Sequence, residues 1–460
     1  MNRSTSIALF AAFSLVPAAL SQVVVFENVN VVPMDRNRVV ERQTVVIRDG
    51  RIAQIGPAGN VKSPDGATRV EAAGKYLMPG LAEMHGHLPN PGSPPELVEH
   101  VLFLYVSNGV TTVRGMQGNP QTLEQRSAVA SGRILGPRLY VAGPSFTGGS
   151  AKTVEIAEKR VRDQKTAGYD LLKISEGASP AAYDAIAKTA KEVGIDFAGH
   201  VPDQVGVRRA IEAGQRSIDH LDNYIEGLEA DNSPVRNADP QTRAMQVPFH
   251  VDESKIPELA QLTRKAGVWN VPTMALWEYF HNSETGEKLR GSLPELRYMP
   301  RTTVDEWVKF KNDLLERQVL MGLGVGSKTG ARVIELRKKL LKGLRDAGAK
   351  IALGTDAPQM FSVPGFSIHR EMPVMVACGF TPFEALQSGT RNVAEYFGTL
   401  KETGTVEQGK RADLILLEAN PLQDVANVAR RAGVMVNGRW LPESEIQARL
   451  EKLAAAAEKM

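Results

Sequence analysis

The chain has 460 residues and a formal net charge of +3, from 55 basic and 52 acidic residues. With 42% hydrophobic and 23% charged residues, its composition is that of an ordinary globular protein, which excludes a disordered or collagen-like chain. No long run of one charge sign forms a phosphate-binding stripe, so we do not expect nucleic acid as a partner. The single cysteine, Cys378, excludes an intramolecular disulfide.

The first 21 residues have the pattern of a secretory signal peptide. Arg3 precedes an apolar run at 7–16, and small residues follow it before Gln22. The run is too short to form a permanent membrane span. We therefore expect cleavage near Ser21 and a periplasmic or secreted protein with no permanent membrane anchor.

Two β-rich segments flank a longer central segment. Residues 22–76 alternate apolar and polar positions as strands do, and Asp49-Gly50 marks a hairpin turn within them. Residues 403–445 have the same character, with a second hairpin turn at Asn437-Gly438. We predict that both segments belong to one small β-sandwich, and that residues 446–460 form a C-terminal helix.

Short apolar strands alternate with helical patterns across residues 77–402. This alternation predicts an α/β fold with a parallel sheet, and eight such units predict a (β/α)8 TIM barrel. An insert at about 275–330, rich in large side chains, interrupts the alternation. The predicted strands are 77–84, 110–113, 138–142, 171–174, 196–199, 217–219, 268–274 and 351–354, and three of the predicted helices are 154–167, 180–193 and 331–347.

Six polar residues follow or end these predicted strands, on the face where barrel enzymes place their active sites. Each alone has an ordinary structural explanation, such as a helix cap for an Asp or a hydrogen-bonded His. Together they favour a divalent metal site, because imidazole and carboxylate ligands suit zinc and related metals. The lysine among them, in an otherwise apolar strand, is exposed at the strand tip, neutralised or bound to something. The six are His85, His87, Lys173, His200, His220 and Asp356.

At these residues the chain resembles the amidohydrolase superfamily, in particular its members with a metal pair bridged by a carbamylated lysine. The imidazolonepropionase-like and Xaa-Pro-dipeptidase-like enzymes are the most similar subset. The resemblance implies two divalent metal ions, most consistent with Zn²⁺. It places His85, His87 and Asp356 on one ion, His200 and His220 on the other, and Lys173 between them as a carbamate. The motifs that carry it are LMPGLAEMHGH at 77–87, GHVP at 199–202, SIDHL at 217–221, LGTDA at 353–357 and GTVEQGKRADLI at 404–415.

The resemblance also implies a chemistry. A hydroxide that bridges the metals attacks a carbonyl carbon, and Asp356 passes the proton of that water to the departing nitrogen. Asp356, Lys173 and His220 form the expected catalytic set. We therefore expect a hydrolase that cleaves the C–N bond of a small amide, such as a dipeptide, an N-acyl amino acid or an aryl amide.

Other functions remain open at this point. The same site suits a lactone, a cyclic amide or a phosphotriester, and a non-catalytic metal-binding scaffold is a further alternative. Three residues that our strand count places on the active face are candidates to bind the substrate: Arg114, Ser145 in the loop at 144–149, and Tyr224. The sequence also leaves a homo-oligomer open.

Overall fold

A computed structural model describes residues 23–320 and 328–460 of the chain, which have a mixed α/β fold. The predicted signal peptide lies outside the described residues. Within the described ranges, no helix combines the length and the apolar character needed to cross a membrane. The strands and helices alternate through the middle of the chain, as the sequence predicted.

The strands are β1 Val24–Val31, β2 Val40–Arg48, β3 Arg51–Pro57, β4 Thr68–Glu71, β5 Tyr76–Pro79, β6 Leu81–Gly86, β7 Val110–Gly115, β8 Arg138–Val141, β9 Leu171–Ile174, β10 Asp196–Gly199, β11 Ser217–Asp219, β12 Trp269–Val271, β13 Lys350–Ile351, β14 Leu414–Leu417, β15 Arg431–Val436 and β16 Arg439–Pro442. The α-helices are α1 Pro95–Ser107, α2 Pro120–Ala130, α3 Val154–Ala167, α4 Pro180–Val193, α5 Gly206–Glu212, α6 Tyr224–Gly227, α7 Pro240–Gln246, α8 Ile256–Ala266, α9 Met274–His281, α10 Gly286–Ser292, α11 Arg301–Leu320, α12 Lys328–Ala347, α13 Ile368–Ala377, α14 Pro382–Ser388, α15 Arg391–Tyr396 and α16 Glu443–Ala457.

Strands from both ends of the chain form one eight-stranded sheet, in the order β16-β15-β14-β5-β1-β2-β3, with β4 beside β1. Both predicted hairpin turns are present. Asp49 and Gly50 join β2 to β3 with φ angles of 51° and 66°, and Asn437 and Gly438 join β15 to β16 with 49° and 79°. Two-residue hairpins favour such positive φ angles, which Asn, Asp and Gly adopt most easily.

The remaining eight strands are parallel and form two sheets, β6-β7-β8 and β13-β12-β11-β10-β9. Backbone contacts join the sheets at both edges. Parallel bridges link Ala142 to Leu171 and Phe146 to Ile174, while Met84 N–H donates to the Leu353 carbonyl at 2.9 Å. Because all eight strands run the same way, their carboxyl ends lie on one face.

The first predicted strand, 77–84, is broken in the structure. Its first part, β5, pairs with β14 in the eight-stranded sheet, and its second part, β6, pairs with β7. The predicted domain boundary at 76/77 therefore falls inside β5. Gly80 separates the two strands at a close approach, because a Cβ there would lie 2.2 Å from Thr111 Oγ1.

Two other predicted strands are shorter than expected. The seventh, 268–274, ends at Val271, since Thr273 takes a φ of 48° and Met274 begins α9. The carboxylate of Glu371 accepts hydrogen bonds from the first two N–H groups of α9 and holds this start. The eighth, 351–354, is a regular strand only at Lys350–Ile351, although its backbone bonds continue through Leu353.

The predicted insert at 275–330 contains most of α9, then α10 and α11. Its apolar side chains form a separate core cluster with the C-terminal helix α16, which begins at Glu443 and not at 446. Tyr279 and Tyr298 are buried in this cluster, so part of the aromatic content of the insert has a packing role. The insert and α16 form one structural unit beside the parallel strands.

We expect Gly80→Ala to destabilise the protein by about 1–3 kcal/mol, because the new methyl group must displace the Thr111 side chain between two sheets. Thermal or denaturant unfolding would measure the change. Gly291→Ala is the matched control, since a Cβ at Gly291 has no atom within 4 Å. In a helix that control should be neutral or stabilising by about 0.5–1 kcal/mol. Equal stability of Gly80→Ala and the unmodified protein would contradict the explanation that the close contact with Thr111 requires glycine between β5 and β6.

Candidate metal centre

The structure brings all six predicted ligands to the same end of the parallel strands. His85 lies near the end of β6, and His87 follows that strand by one residue. Lys173 lies within β9, and His200 and His220 directly follow β10 and β11. Asp356 lies beyond β13, on the backbone that continues that strand.

Short distances connect these side chains around Asp356 and His85. His87 Nε2 lies 2.6 Å from Asp356 Oδ1, and His85 Nε2 lies 3.6 Å from the same oxygen. Lys173 Nζ lies 3.2 Å from His85 Nε2, and His220 Nε2 lies 3.9 Å from Asp356 Oδ2. The ring centroids of His200 and His220 are 4.7 Å apart. The six side chains thus form one cluster.

Three of the four imidazoles are oriented through Nδ1. His85 Nδ1 lies 2.8 Å from Asp219 Oδ2, His200 Nδ1 lies 2.7 Å from Asp222 Oδ2, and His220 Nδ1 lies 2.8 Å from Thr273 Oγ1. A carboxylate only accepts, so Nδ1 of His85 and of His200 carries the proton and Nε2 keeps its lone pair. This is the arrangement in which histidines bind metals.

One buried atom of the cluster lacks a partner. His220 Nε2 is buried and has no hydrogen-bond partner among the described residues, although His220 is only 2% exposed. Buried polar atoms are nearly always bonded, and an unbonded imidazole nitrogen beside a carboxylate and a lysine requires an explanation. A cation bound among these side chains would give His220 Nε2 a partner.

Burial lowers the pKa of three central groups. Desolvation, followed by the nearby Lys173 charge, holds the pKa of His85 well below its usual value. Desolvation and the neighbouring His85 do the same to the pKa of His220. Desolvation also lowers the pKa of Lys173, against the opposing charges of Asp219 and Asp356. Neutral imidazoles are the protonation state that metals require.

Glu83, which the sequence analysis missed, connects two of the ligand-bearing segments. It is fully buried, and its carboxylate accepts hydrogen bonds from His85 N–H at 2.9 Å and from Thr355 N–H at 2.8 Å. Desolvation raises the pKa of Glu83 to about 8. The signal in the sequence was an acidic residue inside the otherwise apolar strand that leads to His85.

Asp219 was also missed, and it explains the position of Arg114. The Arg114 guanidinium is fully buried and donates to both Asp219 oxygens, at 3.0 and 2.9 Å. It also donates to Ser217 Oγ and Tyr396 Oη. Arg114 therefore has no free donor for a substrate carboxylate, and the predicted substrate role is wrong. It holds Asp219, which in turn holds His85.

The other two predicted substrate residues are Tyr224 and Ser145. Tyr224 is fully buried, and its hydroxyl lies 2.9 Å from Thr263 Oγ1, so it has a packing role and not the predicted substrate role. Ser145 is half-buried in the loop after β8, where its carbonyl accepts a hydrogen bond from Ser150. The side chains of Tyr224 and Ser145 make no hydrogen bond to the six predicted ligands in the described part of the chain.

Two groups of side chains in the described part of the chain have ligand atoms close enough to hold a metal ion. One is His85, His87 and Asp356, which matches a predicted ligand set. The other is Glu176, His200 and Asp222, in which two carboxylates surround His200. The sequence analysis did not identify Glu176 or Asp222, because both lie in loops outside the strand pattern.

Comparison with known proteins identifies the family. A sequence model described as the amidohydrolase family matches residues 76–441. An ochratoxinase of Aspergillus niger is 23% identical over 451 residues, covering 83% of this chain and 78% of that protein. An imidazolonepropionase of Agrobacterium fabrum is 26% identical over 411 residues, covering 83% and 86%.

Among solved structures, a Xaa-Pro dipeptidase with bound methionine in its active site has a similar fold. The TM-score is 0.66 at 21% sequence identity, and the match covers 92% of this chain and 100% of the dipeptidase. Imidazolonepropionase and dipeptidase are the subset that the motifs around the six strand-end residues predicted. The chain therefore belongs to the amidohydrolase family and is an enzyme, a hydrolase that acts on carbon-nitrogen bonds.

Proposed function

We propose that this chain hydrolyses the amide bond of a small molecule in a reaction that depends on two divalent metal ions. The observation that carries the proposal is the convergence of six side chains from five strand ends into one cluster, in which His85, Lys173, His220 and Asp356 are buried. The names of the relatives support a small-molecule substrate, since they include an ochratoxinase, an imidazolonepropionase and a Xaa-Pro dipeptidase. Candidate substrates are dipeptides, N-acyl amino acids and aryl amides.

The side chains present fit the proposed ions. His85, His87 and Asp356, whose ligand atoms lie close together, would hold one ion. We assign the other ion to His200 and His220, with the unpartnered Nε2 of His220 as a ligand atom. Nitrogen and oxygen donors of this kind favour zinc. When bound, such ions lower the pKa of water and polarise a carbonyl oxygen.

Lys173 is suited to carry a carbamate between the two ligand sets. Its side chain is 4% exposed, and its Nζ makes no ion pair among the described residues. Burial of an ammonium that makes no direct ion pair favours its neutral amine form, and a neutral amine can add carbon dioxide. The resulting anion replaces a buried cation by a ligand.

Asp356 is placed to move a proton during the reaction. One of its oxygens lies 2.6 Å from His87 Nε2, and the other accepts a hydrogen bond from Gln359 at 3.3 Å. In amide hydrolysis the water oxygen bonds to the carbonyl carbon, the C–N bond breaks, and the nitrogen gains a proton. We assign to Asp356 the transfer of that proton from water to nitrogen.

The proposal also covers the closure of the barrel, the second domain and the location of the protein. We propose that the eight parallel strands form a closed (β/α)8 barrel, supported by the backbone bonds that join their two sheets at both edges. We also propose that the strands from both chain ends, which share one eight-stranded sheet, form the predicted small β-sandwich domain. We further propose export to the periplasm or out of the cell, supported by the sequence pattern of residues 1–21.

Asp356→Asn should lower kcat by at least about 10²-fold, because Asn cannot accept the proton from water. The measurement is steady-state hydrolysis of an amide substrate, with metal content determined on the same sample. Full metal content with lost turnover supports the proton role. Retained turnover at full metal content would refute it.

Lys173→Met should lower the bound metal content, because it removes the bridging ligand while preserving the apolar volume of the side chain. Elemental analysis of the purified variant would measure this loss. The unmodified protein would also be incubated with carbon-13-labelled bicarbonate. Carbon-13 NMR would then detect the carbamate directly. An unmodified lysine in a protein with a full complement of metal would rule out the carbamate.

Arg114→Met should cost about 3–5 kcal/mol of stability, because it leaves the Asp219 charge buried without its partner. Reduced metal affinity should accompany the loss, since His85 loses its anchored acceptor. Arg126→Met is the matched control, because Arg126 pairs with Asp170 where both side chains are partly exposed. We expect that control to cost at most about 1 kcal/mol. An equal loss of stability in the two variants would contradict the proposal that Arg114, through Asp219, holds His85 in place.

A further inference from the structure

Arg337 of α12 is buried, and its guanidinium bonds to main-chain carbonyls and not to a carboxylate. The side chain is 4% exposed. Its Nη2 donates to the carbonyl of His220, and to the carbonyl of Pro272 at 3.3 Å. Its Nε is buried and has no hydrogen-bond partner among the described residues. An arginine keeps its charge at neutral pH, so a buried guanidinium without a direct ion pair in the described chain requires an explanation.

The two carbonyls belong to the two segments that hold His220 in place. One is the carbonyl of His220 itself. The other, of Pro272, directly precedes Thr273, whose Oγ1 lies 2.8 Å from His220 Nδ1. The His220 N–H in turn donates to the Val271 carbonyl at 2.7 Å. One guanidinium nitrogen therefore joins the segment that carries the candidate ligand to the segment that orients its ring.

The main chain in both segments has conformations that need support. His220, Leu221 and Asn223 have φ angles of 62°, 52° and 60°, and Thr273 has a φ of 48°. Residues with a Cβ rarely adopt positive φ angles, and a β-branched residue such as threonine is the least suited to them. Such conformations persist where the surrounding structure holds them. The bonds from Arg337 act at this place, because they reach the carbonyl of His220 and the residue directly before Thr273.

A further contact holds the guanidinium itself. Its Cζ lies 4.2 Å from the centroid of the Trp277 ring. Trp277 belongs to α9, which begins at Met274, directly after Thr273. Arginine stacks well on aromatic rings through its planar guanidinium. The position of Arg337 is therefore fixed by α9 as well as by the segments that follow β11 and β12.

Arg337 also belongs to a cavity wall. It lines a cavity of about 620 Å³ together with Asp222. A second cavity, of about 430 Å³, is lined by His87 and partly by Met299 and Trp307 of the insert. A wall residue can contact a substrate directly, so a test of Arg337 must separate substrate binding from the positioning of a ligand.

We infer that Arg337 is a positioning residue for His220, and that it determines how tightly the second metal ion binds by holding the main chain of this candidate ligand. The inference rests on the proposed function, which assigns His220 to that ion. It adds to the site a residue of α12, a helix that carries none of the six predicted ligands.

Arg337→Met tests the inference in the full-length protein, with cobalt(II) as the probe metal. Loss of both hydrogen bonds should weaken the binding of one of the two cobalt equivalents by at least about tenfold and change the visible absorption spectrum of that ion. The other equivalent should bind as before, because Arg337 makes no hydrogen bond to His85, His87 or Asp356 in the described chain. Unchanged affinities and an unchanged spectrum overturn the inference while the proposed function stands. Failure of the unmodified protein to bind two equivalents overturns both.

Arg332→Met is the matched control on the same helix. The Arg332 guanidinium donates to the Pro248 carbonyl at 3.2 Å and pairs with Glu253 and Glu335, none of which is a predicted ligand. The control should leave both cobalt affinities unchanged. An equal loss in Arg332→Met would show a general weakening of α12 and overturn the specific role of Arg337.

Steady-state amide hydrolysis at saturating cobalt separates positioning from substrate contact. A displaced His220 should lower kcat by about tenfold and change KM less. Arg337→Lys keeps a cationic donor but loses the planar fork, so its metal affinity and kcat should lie between those of the unmodified protein and Arg337→Met. It is also the test variant where Arg337→Met does not fold, and values equal to the unmodified protein then overturn the inference. A raised KM with unchanged kcat and metal affinity would assign Arg337 to substrate binding and overturn the inference as well.

Thr273→Val tests whether Arg337 acts through His220. Valine keeps the shape of threonine but removes the hydroxyl beside His220 Nδ1, so the same cobalt equivalent should bind more weakly. Because both side chains act on one ligand, the affinity lost in the double variant should be smaller than the product of the two single losses. A loss equal to that product would show independent effects and overturn the inference.

Discussion

The orientation of the imidazoles through Nδ1 is the constraint on which the candidate site depends. An imidazole offers Nε2 to a metal only when its ring is held and its other nitrogen is protonated. For His85 this requires Asp219, and a buried Asp219 requires the Arg114 guanidinium. Three strands, β6, β7 and β11, are therefore connected through one chain of buried charges, and the position of a ligand depends on the packing of all three.

Glu83 adds a second constraint along the backbone. Its carboxylate accepts hydrogen bonds from N–H groups on both sides of the contact between β6 and the segment after β13. His85 and Asp356 belong to these two segments, and Asp356 N–H donates to the His85 carbonyl at 2.8 Å. The spacing of these two ligands is thus determined by buried hydrogen bonds, which tolerate little movement. A substitution at Glu83 would disturb the cluster without replacing any candidate ligand.

The sequence predicted local features better than pairings between distant residues. The strands at 171–174, 196–199 and 217–219 agree with the structure to the residue, because each is a short segment that follows a helix and a glycine. Strand 77–84 was predicted as one unit, since nothing in its alternation shows that its halves pair with different sheets. The six candidate ligands were predicted because each lies near the end of a predicted strand and because the motifs around them resemble a known family.

Arg114 shows why other residues could not be assigned. A basic residue near the end of a strand suits either an open pocket or a buried ion pair, and its partner Asp219 lies 105 positions away along the chain. Local patterns carry no information about such a pair. Asp222 and Glu176 were missed for a related reason, because loop residues acquire a role only when several loops are packed at one face.

The candidate ligands and part of the cavity walls beside them come from different elements of the fold. All six candidate ligands lie on or just beyond the parallel strands, where paired backbones and buried bonds keep their positions. The cavity walls come largely from other elements: Met299 and Trp307 from the insert, and Arg337 from α12. The core cluster that packs the insert against α16 includes Met299 and Trp307, so the position of this cavity wall depends on the packing of the insert and not on the parallel strands.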